Sequence, residues 1–409
     1  MDRKFSMRQV AAIVTAAVLA AVCLTTFLFY TINSINTRYI ISFDANSVNY
    51  KNISKFNQVR EILKQDFYQN IDENKLLEGA ISGLVESLKD PYTVYFNKDE
   101  MKAFMEKSQG SYVGIGVTVS VDENGLLTVI EPFENSPAES AGIKKGDKIV
   151  KVNDKDVTEI RDENMIISMI KGKENTKVKI TVYRPDEKRY LQFDIIRKRI
   201  RASNIKSDIF DGEIGYIKLV MFDAEIAKYF KNDLNKMLNK GIKGLVIDLR
   251  DNPGGSYEQV IEIADSLLPE GIIVYTEDRN GNKNTRKSDK RYVDLPLVIL
   301  TNGNSASASE ILAGAIKDHA RGKIVGTRTF GKGLVQELKM LDDGSGLKVT
   351  VSRYFTPSGV CIHGSGIEPD IVIDVPDEYR NMPVSQIPAN KDVQLKVAIN
   401  AVKGEISAD

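Results

Sequence analysis

Two short runs near the middle of the chain constrain its fold most. Gly244-Leu245-Val246-Ile247-Asp248-Leu249-Arg250 and Leu295-Pro296-Leu297-Val298-Ile299-Leu300 are apolar at consecutive positions, not alternate ones. A strand with one solvated face alternates, so a strand apolar on both faces belongs in a sheet covered on both sides. Ile214–Leu219 and Lys323–Gly326 read as further strands. Helical spacing of apolar residues fills Ala224–Asn239, Glu258–Leu268 and Ser309–Ala320 between them. This alternation predicts an α/β core over residues 199–374. The polar stretch Glu277–Asp294, centred on Asn280-Gly281, predicts an exposed hairpin tip.

The rest of the chain divides by character. Gln9 to Thr37 carries no charge, and Val10–Ile32 is long enough for a bilayer-spanning helix, which takes roughly 20 apolar residues. Arg3, Lys4 and Arg8 precede it and place the N-terminus in the cytoplasm. Residues 1–37 are thus expected to form a cytoplasmic N-terminus and transmembrane anchor, with everything after about Asn33 extracytoplasmic. A cleaved signal peptide is the rival, but its apolar region is shorter, and this one continues past Cys23. Bulky Val22 argues against lipidation at Cys23. Cys23 and Cys361 cannot pair, and both are expected to be small buried hydrophobes. Residues 38–108 read mostly helical, from the spacing in Val59–Lys64 and Leu76–Leu84, with Asp90-Pro91 closing the second helix. Residues 375–409 are polar and carry one amphipathic helix, Val393–Ala401. The 56 basic and 56 acidic residues cancel, and no basic run is interleaved with aromatics, which speaks against a nucleic-acid partner.

Residues 109–198 read as small strands and two helices. Val113–Val119 and Leu126–Ile130 form strands across the Asp122–Gly125 turn, and Ser136-Pro137 starts a short helix. The strand Gly146–Asn153, the helix Asp162–Ile170 and a closing strand Val178–Arg184 follow. With Gly114-Ile115-Gly116-Val117 and Pro137-Ala138-x-x-Ala141-Gly142-Ile143-x-x-Gly146-Asp147-x-Ile149, this order resembles a PDZ domain of the bacterial protease type. The resemblance implies that the backbone amides of Ile115, Gly116 and Val117 hold the terminal carboxylate of a peptide added at a sheet edge. A bulge at Gly114 and Gly116 is the alternative.

The chemistry concentrates around Ser307, in Ser305-Ala306-Ser307-Ala308-Ser309-Glu310, and Lys332, in Phe330-Gly331-Lys332-Gly333. A small-residue turn from a strand into a helix exposes a hydroxyl and offers free amides to an oxyanion. Helix capping would account for any one of the three serines equally well. The chain has only two histidines, His319 and His363, so an imidazole base has few candidates. A desolvated lysine can serve instead, because burial disfavours its charged form.

Four motifs then occur in order: Asp248-Leu249-Arg250-Asp251-Asn252-Pro253-Gly254-Gly255, the serine run, Gly331-Lys332-Gly333-Leu334-Val335-Gln336, and Tyr354-Phe355-Thr356-Pro357-Ser358-Gly359 leading to Gly366-Ile367-Glu368-Pro369-Asp370. Together they resemble the carboxyl-terminal processing (tail-specific) peptidases, over nearly everything after the anchor. The resemblance implies a multidomain α/β serine protease with Ser307 as nucleophile, Lys332 as base and Gln336 orienting the amine. It implies an oxyanion hole from the amides of Ala308 and of Gly254 or Gly255, with Gly254 favoured. It also implies protein or peptide substrates with free C-terminal tails, no metal or cofactor, and homodimerisation. Members often carry glycine where Pro253 stands, and Arg and Gln where Val360 and His363 stand.

Rival readings are thinner. Gly326-x-x-x-x-Gly331-Lys332 approaches a phosphate-binding loop, but Gly333 stands where Ser or Thr would ligate magnesium. Ser203-x-x-Lys206 lacks the Lys-Thr-Gly partner of penicillin-binding enzymes. His319, twelve residues after Ser307 on one helix, would lie about 18 Å along it. A membrane-anchored PDZ adaptor with an inactive core is the non-enzyme alternative, although both Ser307 and Lys332 are present.

Overall fold

The computed structural model describes Met7, residues 24–26 and residues 50–407, apart from Glu123, Ala202, Ser203 and Asn381. Most of the expected anchor at residues 10–32 lies outside the described residues, as does Cys23. Among the described residues no helix is long and apolar enough to cross a membrane. The chain divides into two compact units at Leu77/Glu78.

In the first unit, α1 (Tyr50–Asp66) exposes Ile53, Phe56, Val59, Ile62 and Leu63. Next in the chain are α2 (Glu73–Glu86) and α3 (Lys98–Ser108). Asn97 caps α3 by accepting from Asp99 and Glu100 amides, and Glu100 returns the bond to Asn97. The region is not wholly helical: α2 ends before Asp90-Pro91, and Val94–Phe96 pairs antiparallel with Gly346–Phe355 of the core.

The run Val113–Val119, read as one strand, is two. Ser111–Gly114 pairs with Lys198–Arg201, whereas Val117–Val121 pairs with Leu127–Pro132. The break falls at Gly116, whose φ is +80° and where a Cβ would lie 2.5 Å from Ser136 Cβ. The pair Ser111–Gly114/Lys198–Arg201 therefore joins the entry and the exit of the small domain. That domain's sheet runs Val117–Val121, Leu127–Pro132, Lys148–Val152, Lys177–Arg184, Arg189–Ile196, with Val117–Val121 at an open edge. The last strand, Arg189–Ile196, was missed in the sequence and is the true closing strand. α4 (Pro137–Ala141) begins where expected, with Ser136 Oγ accepting from Glu139 N at 3.1 Å, and α5 is Glu163–Ile170. Its core gathers Ile115, Leu127, Val129, Ile149, Val178, Ile180 and Val182.

The large core is built as the apolar runs require. Six strands lie in chain order: Ile205–Phe210, Ile214–Leu219, Gly244–Asp248, Leu297–Thr301, Lys323–Gly326 and Ile371–Val372. The first pairing is antiparallel and the rest are parallel. Leu245, Ile247 and Ile299 face α6 (Ile226–Asn239), α7 (Tyr257–Asp265) and α8 (Ala308–Asp318). Val246, Val298 and Leu300 face α9 (Val393–Ile406), through Leu395, Ala398 and Val402. The C-terminal helix is thus the second cover of the sheet. A second sheet holds Gly271–Asp278, Lys283–Ser288, Leu334–Met340 and Gly346–Phe355. The predicted hairpin tip falls between the first two of these. Cys361 is free and half-buried, not buried as expected.

Arg250 locks the sheet to α9. It is fully buried and spends all five N–H donors: on Asp248 at 3.0 and 2.7 Å, on Asp392 at 2.9 and 2.8 Å, and on Gln394 at 3.0 Å. Asp392 is also the N-cap of α9. Asp248 accepts from Tyr216 as well, so it serves this network and not a metal site.

Candidate active site

The three serines of the run separate by environment. Ser305 Oγ is buried and donates to Leu249 O at 2.8 Å; Ser309 Oγ is buried and donates to Asn252 O at 2.9 Å. Both therefore hold the strand-to-helix junction together. Ser307 is half-buried, and its Oγ donates to no acceptor among the described residues. Its backbone sits at φ +56°, ψ −113°, a conformation a non-glycine residue adopts only when its surroundings enforce it. The enforcing contacts are Ser307 N donating to Glu310 Oε2 at 2.8 Å and Tyr354 Oη donating to Ser307 O at 3.1 Å.

Ser307 opens onto a cavity of about 230 Å³ shared with Gly255, Ala308, Ile311, Leu334, Gln336 and Tyr354. Ala308 N, at the first position of α8, donates to no acceptor among the described residues. The glycine pair resolves differently from expectation. Gly254 N donates to Asn252 Oδ1 at 2.9 Å and is occupied. Gly255 bridges Phe222 in parallel through Gly254 O and Ser256 N, at 2.9 and 2.7 Å, which leaves its own N–H uncommitted. The geometry therefore favours Gly255 over Gly254 as the partner of Ala308. Pro253 has no N–H to offer.

Lys332 enters the site through its backbone. Its N–H donates to Glu310 Oε2 at 2.8 Å, the oxygen that also receives Ser307 N–H. Its amine lies over the Tyr92 ring, 4.6 Å from the centroid, and no hydrogen bond among the described residues joins Nζ to Ser307 Oγ. Burial pushes this amine down to about 8, Lys348 adds to the effect, and Asp90 and Glu310 oppose it. Gln336 reaches Thr350 Oγ1 at 3.5 Å, not the lysine. The structure thus brings Ser307, Ala308, Gly255 and Gln336 to one cavity and ties the Lys332 backbone to it, while the amine points to Tyr92.

Glu310, the last residue of the serine run, is a functional residue that the motif alone does not single out. A glutamate three residues into a helix is a capping signal, and that signal could have found it. The rival sites dissolve. A strand, Leu334–Met340, follows Lys332 where a phosphate-binding loop would start a helix. His319 lies at the far end of α8 and contacts Ile272 O at 2.8 Å; His363 is exposed. Among the described residues no group of three or more His, Cys, Asp or Glu is placed to hold a metal ion.

In the small domain, Ile115 O accepts from Ala138 N and Gly116 O from Phe133 N. The N–H groups of Ile115 and Gly116 donate to no acceptor among the described residues. Val117 begins the open edge strand. All three expected carboxylate donors therefore sit at one end of that edge.

Comparison with known proteins agrees with this anatomy. Residues 213–373 match peptidase family S41, residues 113–195 a PDZ domain, and residues 28–100 the N-terminal domain of the activating protease CtpB. The carboxy-terminal processing protease CtpA of Bacillus subtilis is 38% identical over 331 residues, 80% of this chain and 70% of that protein. CtpB of the same organism is 36% identical, over 83% of this chain and 72% of that protein. The solved photosystem II D1 C-terminal processing protease is 31% identical over 78% of this chain and 87% of that one, with a TM-score of 0.47. The chain belongs to peptidase family S41, as a serine-type carboxy-terminal processing protease with a PDZ domain.

Proposed function

We propose that this protease works through a Ser307–Lys332 dyad and cuts protein substrates near their C-termini. The observation that carries the reading is Ser307 itself. It is a strained, half-buried serine at a helix N-terminus, flanked by two uncommitted amides, and a neighbouring loop carries an amine lowered to about 8. The reaction begins when the Lys332 side chain rotates off Tyr92 toward Ser307. Neutral Nζ accepts the Oγ proton as Oγ attacks the scissile carbonyl carbon. The oxyanion takes hydrogen bonds from Ala308 N and Gly255 N. Lys332 returns the proton to the leaving amine, and water attacks the acyl-serine by the same route in reverse. Gln336, in the same cavity, steadies the amine once it has swung in.

The PDZ edge serves capture. A substrate tail extends the sheet beside Val117–Val121, with its carboxylate on the amides of Ile115, Gly116 and Val117, and so delivers or gates the chain upstream of it. The chargeless N-terminal run supports a single-pass anchor with the catalytic region outside the cell membrane. The apolar residues exposed along α1 support pairing with a second copy.

Ser307→Ala is expected to abolish hydrolysis of casein while leaving circular dichroism unchanged; full activity would reject the dyad. Gly116→Val, whose side chain would strike Ser136, is expected to remove the preference among reporters that differ only at the C-terminus. An unchanged preference would leave the loop structural.

A further inference from the structure

Glu310 is the most densely used side chain near the site. It is fully buried. Its Oε2 accepts Ser307 N and Lys332 N, each at 2.8 Å. Its Oε1 accepts Thr329 Oγ1 at 2.6 Å and Gly331 N at 2.7 Å. Thr329 Oγ1 itself accepts from Ile367 N at 2.7 Å, so its single hydrogen is free only for Glu310. Four donors and no acceptor face this carboxylate, which is the environment of an anion. It also lies in the first turn of α8, where the helix favours negative charge.

A capping glutamate ordinarily returns one bond to its own helix. Here three further bonds leave the helix for the loop that carries Lys332. A second link runs alongside them: Phe330 N donates to Ser305 O at 3.0 Å. Glu310 touches neither the cavity nor the Lys332 amine through a hydrogen bond. Its placement is also electrostatically adverse for a base, because its charge, together with that of Asp90, opposes the lowering of the Lys332 amine by burial and Lys348. A carboxylate kept where it opposes deprotonation is there for geometry.

We infer that Glu310 is a positioning residue, a single buried carboxylate that fixes the backbones of nucleophile and base in one register. The inference rests on the Ser307–Lys332 reading. Without Glu310 the two loops are free to drift, and a 1 Å misplacement of reacting groups costs about 10²-fold in rate.

The test compares Glu310→Gln and Thr329→Val with wild type in the full chain, using an unstructured reporter peptide and pH profiles of kcat and KM. In Glu310→Gln the carboxamide NH₂ turns toward groups that are themselves donors. It should lower kcat about 10²-fold and leave KM nearly unchanged, since Glu310 does not line the cavity. It should also move the acidic limb to lower pH, because the remaining groups facing Lys332 are Lys348, Asp90 and the Tyr92 ring. Thr329→Val keeps the charge, so it should lower kcat by a smaller factor and leave the limb in place. A Glu310→Gln enzyme with wild-type kcat overturns the inference. So does a loss that only tracks folded fraction by circular dichroism, with the limb unmoved. If Glu310→Gln does not fold, Thr329→Val decides, and wild-type kcat there refutes the clamp. Ser307→Ala and Lys332→Ala belong in the same series. Activity in either sinks the dyad; inactivity in both, with an active Glu310→Gln, sinks only the clamp.

Discussion

Replacing Gly255 by alanine tests the oxyanion assignment more sharply than any change to the dyad. A Cβ at Gly255 would lie 2.2 Å from Phe222 O and 2.8 Å from Phe222 C, and both atoms are backbone. The loop must then move by about 1 Å to restore van der Waals contact, which is enough to cost about 10²-fold in rate. The parallel bridge to Phe222 breaks with it, losing two hydrogen bonds at 2.9 and 2.7 Å. Those contribute about 1 kcal/mol each. Holding a side chain at φ +140° adds about 1–3 kcal/mol. Stability should therefore fall by about 3–5 kcal/mol, within what a domain with 5–15 kcal/mol can bear. Turnover should fall by about 10²–10³, the cost of one oxyanion donor. The control is Gly281→Ala at the exposed hairpin tip, where φ is +81° and nothing lies within 4 Å of the new Cβ. That change carries backbone strain of about 1–2 kcal/mol and leaves turnover alone. The assay is peptide hydrolysis per mole of enzyme titrated with a fluorophosphonate, at a temperature where circular dichroism shows both variants folded. A Gly255→Ala enzyme within threefold of wild-type kcat would refute the reasoning.

Other perturbations separate the remaining contributions. In the proposed dyad Lys332 must be neutral to act, so kcat/KM should rise with pH through about 8, and activity should be lost as pH falls below it. Lys348 is one cause of that lowered value; Lys348→Gln removes a like charge, favours protonated Lys332 and should move the limb to higher pH. A limb that stays in place in that variant argues that another group controls it. Arg250→Met should cost about 3–5 kcal/mol in urea unfolding, because it leaves Asp248 and Asp392 buried without their partner. A cost below 1 kcal/mol would mean that the sheet-to-α9 lock is dispensable.

Legibility in the sequence followed the physics of each element. The apolar strands Gly244–Asp248 and Leu297–Thr301 were readable because burial on both faces leaves no polar alternate positions. Val113–Val119 misled because periodicity cannot register a φ change at one glycine, and that change sends its halves to different partners. The strands Leu334–Met340 and Gly346–Phe355 went unread because most of their residues are only half-buried or exposed and give a weak pattern. Helix α9 was visible as a helix, but its role depends on Leu395, Ala398 and Val402 meeting strands far away in the chain. At the site, Ser307 could not be told from Ser305 and Ser309 by composition. Only the depth of each hydroxyl and its carbonyl acceptor separate them.

In the proposed dyad, a lysine base needs more than burial. Desolvation lowers the amine, yet a neutral amine has weak attraction for anything and little to hold it in place. Here the amine rests on the Tyr92 ring, where a cation is favoured. The ring offsets part of the desolvation, and an amine resting there leaves the nucleophile unassisted. Swinging to Ser307 exchanges that ring for a hydroxyl, which favours the neutral form. Proton loss and rotation are thus coupled, and whatever biases the side chain toward Ser307 also deprotonates it. Substrate filling the cavity beside Gln336 and Leu334 is positioned to supply that bias. Tyr92→Leu would then weaken the resting position and raise basal peptide hydrolysis near pH 8; basal rates unchanged in that variant would break the coupling argument.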